Sequence, residues 1–168
     1  SYELFERNIM SFLENEELQE IGLNMLNEFV ISYIKQINGD ISDIIQNTIP
    51  IAFKSIECFD LTTEYLINFL TYNKLNNEDT KAIYMFILEC FGQERVDCQY
   101  QALRIAQKLG PHPIYFEMFI DIFEKIQFES LPIYFSLLVN LHSAENNLTD
   151  DKYEQFFNFL IEKLELFV

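Results

Sequence analysis

The chain has 168 residues, 49% of them hydrophobic, with 17 Phe and 9 Tyr but only 4 Gly and 4 Pro. That is too apolar for a disordered tail and too poor in turn residues for a strand-dense fold. The 11 Lys and Arg against 27 Asp and Glu leave a net charge of −16, which argues against a basic face for nucleic acid or anionic lipid. No apolar run approaches the roughly 18 residues of a membrane helix, and no secretory signal opens the chain. Cys58, Cys90 and Cys98 form no CxxC pair and fit free thiols in the cytoplasm or nucleus. The expectation is one all-helical domain over residues 1–168. Its start at Ser1 and apolar end at Leu166-Phe167-Val168 read as cuts in a longer polypeptide.

Apolar residues recur at helical spacing along the chain. Leu4, Phe5, Ile9, Phe12 and Leu13 form a first stripe, and Leu18, Ile21, Gly22, Met25, Leu26, Phe29 and Val30 a second. Asn38-Gly39 is a stop signal, and Asp40 or Asp43 can cap the third helix. That helix is expected to run through Ile44, Ile45, Ile49, Ala52, Phe53 and Ile56, kinked or restarted at Pro50. Leu61 to Thr71 reads as the fourth. Asn76 to Asp79 cap the fifth, with Ile83, Tyr84, Phe86, Ile87 and Phe91 in its stripe and Gly92 at its end. The next runs from about Val96 to Leu109 and stops at Gly110. Pro113 opens a helix expected to reach about Ile126, and Ser130 and Pro132 open another. Thr149 caps a last helix bearing Tyr153, Phe156, Phe157, Leu160, Ile161 and Leu164. Pro113-Ile114-Tyr115-Phe116 and Pro132-Ile133-Tyr134-Phe135 share one tetrapeptide, explained by Pro in a first helical turn and apolar residues packing inward. About nine helices and no strand are expected.

Two stretches share a layout. Ile9 to Val30 and Ile87 to Gly110 each show an apolar helix end, a short polar turn, and a helix with a small residue before Leu. Gly22-Leu23 answers Ala102-Leu103 at an offset of 80, about twice the roughly 40-residue period of two-helix repeats. Thr62, Tyr65, Leu66 and Phe69 occupy the matching places between them. These lines resemble armadillo and HEAT repeats, and Asp43 to Asp60 resembles the first helix of a HEAT unit, with Pro50 at the mid-helix proline and Asp60 in the following turn. The resemblance implies a right-handed superhelical stack of about nine helices that serves as an interaction scaffold. The groove places that armadillo peptide binders fill with Trp and Asn hold Asn24 and Glu28, or Arg104 and Lys108, so an asparagine ladder for basic peptides is not implied.

Signals for chemistry are missing from the sequence. His112 and His142 are the only histidines, and no HExxH, GxSxG, GxxxxGK or GxGxxG occurs. Ser143 follows His142, but triads are assembled in space rather than by adjacency. Acidic pairs such as Glu16-Glu17 and Asp150-Asp151 fall at helix starts, where the helix dipole accounts for them. No enzyme, metal or cofactor is expected.

Charge is unevenly spread. Lys74, Lys81, Arg95, Arg104 and Lys108 balance Glu78, Asp79, Glu89, Glu94 and Asp97, and the chain on either side is acidic. The second helix of each hairpin therefore supplies the candidate partner-binding residues Asn24, Asn27, Arg104, Gln107 and Lys108. Phe159 and Phe167 on the aromatic last helix join them, with another repeat, another subunit or a second copy as candidate covers. The partner would be a protein, in the form of a peptide or helix. The competing reading is a superhelical trafficking adaptor of VHS or ENTH type that binds short peptides.

Overall fold

The computed structural model describes residues 2–33, 41–142 and 149–165, and every regular element among them is helical. There are nine α-helices and three short 3₁₀ turns among these residues, and no strand. Contacts gather into two compact units, Ser1–Phe86 and Ile87–Val168, which divide inside the fifth helix.

The first unit begins with α1 (Tyr2–Leu13) and α2 (Gln19–Tyr33). Phe12 lies opposite Gly22 while Phe5 stacks on Phe29, so the two helices run antiparallel as a hairpin. Ile9, Leu13, Leu23, Leu26 and Val30 fill the seam and are buried. Then come α3 (Ser42–Thr48), a 3₁₀ turn at Ile49–Ile51, α4 (Ile56–Tyr72) and α5 (Asn77–Phe91). The third helix is shorter than its apolar spacing predicts. Pro50 has no N–H to give the carbonyl one turn back, and the chain leaves the helical path. It is fully extended at Ser55, whose Oγ accepts the Cys58 N–H at 3.0 Å and starts α4. Ile56 and Asp60 thus belong to α4, which begins five residues before the expected Leu61, and Asp43 to Asp60 is not one HEAT-like helix. Asn76 caps α5 as expected, its Oδ1 accepting the Asp79 N–H at 2.7 Å. Phe53, Phe59 and Phe86 cluster with ring centroids 5.3–6.0 Å apart.

The second unit takes the end of α5, then α6 (Val96–Leu109), α7 (Pro113–Ile120), 3₁₀ turns at Phe123–Lys125 and Phe128–Ser130, α8 (Leu131–Leu141) and α9 (Asp150–Glu165). Gly110 ends α6 at φ 80°, a backbone that costs a side chain but not glycine. α7 stops at Ile120, short of the expected Ile126. A continuing helix would give the Phe119 carbonyl to the Phe123 N–H. Here that carbonyl accepts from Ile122 N–H and from the Tyr134 hydroxyl at 2.9 Å, and the chain tightens into a 3₁₀ turn. The shared tetrapeptide does not pack alike: Ile133 and Tyr134 are buried, whereas Ile114 is 70% exposed.

Two buried devices recur. Gln19 Nε2 donates to the Leu13 carbonyl at 2.9 Å, and Gln99 Nε2 to the Gln93 carbonyl at 3.3 Å. Each ties the head of a helix to a carbonyl six residues back in the turn before it, and the pairs are 80 apart, the offset of the repeated layout. In each unit a buried tyrosine of a later helix also ties down a short one: Tyr65 meets Thr48 Oγ1 at the end of α3, as Tyr134 meets Phe119 in α7.

Gly22 decides how closely α1 and α2 approach. An alanine there would gain about 1 kcal/mol of helix propensity. Its Cβ, however, would sit 2.9 Å from Phe12 Cβ, beside main chain that cannot swing aside. Gly22→Ala is expected to lose about 1–3 kcal/mol net, read as a lower urea midpoint. A midpoint unchanged or raised would show that the hairpin is not closely packed there.

Candidate interaction surfaces

The outer face of α6 gathers most of the polar residues singled out by sequence. Its inner face is set by Cys98, Ala102, Ile105 and Ala106, all buried. Helical geometry then turns Arg104, Gln107 and Lys108 outward together, and all are exposed. Tyr100, one turn before Arg104, joins them at 55% exposure. Sequence reasoning missed it, although an aromatic four residues before Arg104 on the polar side of an amphipathic helix was a visible signal. Arg104 Nη1 donates to Gln101 Oε1 at 3.0 Å. Among the described residues no carboxylate pairs with Arg104 or Lys108, whereas Arg95 is paired with Asp97 at the start of the helix. That pairing holds the Asp97 carboxyl below its ordinary range.

The matching face of α2 has different chemistry. Asn24 is exposed and folds its amide back on the Glu20 carbonyl at 3.2 Å. Ile21 and Met25, expected in the core stripe, are exposed beside it. Asn27 is not on this face at all. It is buried against α4, where its amide donates to the carbonyls of Leu61 at 2.8 Å and Leu23 at 3.1 Å. It holds two helices together and is no part of the outer surface.

Phe159 is buried as well, its ring centroid 4.7 Å from that of Phe123, with Lys163 Nζ 5.5 Å from the Phe159 ring. Phe167 lies outside the described residues. Phe123 and Phe159 line a pocket of about 440 Å³ with Glu124, Gln155, Asn158, Glu162 and Lys163. That lining has charge and amide groups but no nucleophilic thiol or imidazole.

Groups with catalytic potential are engaged elsewhere. His112 sits edge-on to Tyr115 and His142 to Phe116, and Ser143 lies outside the described residues. The Tyr65 and Tyr134 hydroxyls are buried, which pushes both well above the ordinary phenol range. Burial likewise raises the Cys90 thiol, with Cys98 and then Glu89 adding to the effect. Among the described residues no three or more His, Cys, Asp or Glu are grouped to hold a metal ion, and no helix is long and apolar enough to cross a membrane. Comparison with protein-family models, curated proteins and solved structures finds no match for this chain.

All three cysteines are buried and outside any disulfide. In the folded protein none is expected to react quickly with an aromatic disulfide reagent at about pH 8, whereas all three should react in urea. Fast labelling of the native protein would contradict this packing.

Proposed function

We propose that the chain is an armadillo- or HEAT-type helical-repeat module that acts as an intracellular protein–protein interaction scaffold and performs no catalysis itself. The observation that carries this reading is the outer face of α6. Tyr100, Arg104, Gln107 and Lys108 stand out together from a helix whose opposite face is fixed in the core. An aromatic beside two cations that no carboxylate of the described chain neutralises suits an acidic segment of a partner. The glutamine-to-carbonyl bond repeated at an offset of 80 supports the repeat reading, since such proteins keep core spacing while outward residues change.

The test reverses the charges. Arg104→Glu with Lys108→Glu alters two exposed side chains and should leave the melting temperature within a degree or two of the parent. Partners captured from cell extract by the parent are expected to bind the variant about ten-fold or more weakly, with a reduced salt dependence. An unchanged set of partners at unchanged affinity would reject this surface.

A further inference from the structure

We infer that the outer face of α9 docks a basic amphipathic helix of a partner protein, an inference that rests on the interaction reading above and assigns it a second surface. α9 has two strips. Phe156, Phe159, Leu160 and Lys163 recur at steps of three and one toward Phe123, and Phe159 is the buried one. Phe157, Ile161 and Leu164 form a second strip at steps of four and three and are 57%, 56% and 59% exposed. That spacing is the seam one helix presents to another. The far edge of that strip is acidic and exposed: Glu154 lies three residues before Phe157 and Glu165 four after Ile161, while Asp150, seven before Phe157, heads the strip itself. An apolar ridge therefore runs between the body of the unit and a row of carboxylates.

Charge selects the occupant. Both lysines of α9 face the other way: Lys152 Nζ is 2.6 Å from Asp121 and 5.7 Å from the Phe123 ring centroid, and Lys163 lies over Phe159. The carboxylate row thus has no cation of its own helix beside it. A partner helix with leucine-like residues on one face and lysine or arginine along its edge covers the ridge and neutralises the row at once. A second copy fits worse, because antiparallel pairing of two α9 helices sets one acidic flank against the other.

The full chain can be tested with a synthetic 18-residue peptide carrying leucines at a seven-residue repeat and lysines along the flanks. A second peptide, with glutamate in place of every lysine, is the control. Fluorescence anisotropy should show the lysine peptide binding, the glutamate peptide binding at least ten-fold more weakly, and binding weakening as salt is added. Ile161→Ser with Leu164→Ser removes the ridge without adding charge and should weaken binding about ten-fold. Glu154→Lys with Glu165→Lys should weaken it several-fold, and melting curves should show all variants folded. Undiminished binding by the serine variant would mean general charge attraction and would overturn the inference. So would sedimentation showing a dimer of the parent that the serine variant loses, which would assign the ridge to a second copy. Absence of peptide binding while the α6 charge reversal still loses partners would sink the α9 inference alone; absence of both effects would sink the interaction reading with it.

Discussion

Where the chain leaves one helix and turns into the next, carbonyls without an intrahelical partner need donors. Here a buried glutamine at the head of a helix reaches back six residues to do this, Gln19 to Leu13 at the end of α1 and Gln99 to Gln93 in the turn before α6. A carbonyl left unpaired where it is shielded from water costs about 1–3 kcal/mol. The two sites are not identical. Gln19 Oε1 accepts from Lys54 Nζ at 3.0 Å, while Gln99 Oε1 is buried without a partner among the described residues. Donation toward the turn is the shared element.

That wiring sets the outward faces. Once Gly22 or Ala102 is turned into the core, the residues two and six places later must leave it. At those places α2 has Asn24 and Glu28, and α6 has Arg104 and Lys108. One helical spacing thus presents two charge characters. α9 goes further and leaves an apolar ridge exposed among the described residues, a costly feature for a surface with no partner.

How much of this is legible in the sequence depends on which force writes the signal. Helix ends set by single residues, such as Asn76, Gly92, Gly110 and Thr149, stand plainly there because caps and stops act locally. The break at Pro50 is legible too, but not how far it reaches. Apolar spacing carries on through Phe53 and Ile56, and only the extended Ser55 places Ile56 on a new helix. α7 ends where Tyr134, fifteen residues ahead of Phe119, takes a carbonyl, a long-range contact that no local pattern records. Polar residues in the core are the hardest. Asn27 reads as a surface ligand, and Gln19 and Gln99 carry no local mark, because apolar periodicity treats amides as outward-facing. The clue is an identical residue at the same offset as Gly22 and Ala102.

Native-state hydrogen exchange of Gln19→Ala and Gln99→Ala tests the shared wiring most directly, since it reads each turn separately. Loss of about 1–3 kcal/mol should speed exchange roughly ten-fold or more in α1 and α2 for the first variant and around the α5–α6 turn for the second. Parent-like exchange around either turn would mean that the glutamine is a passenger and that the two turns are alike only by chance.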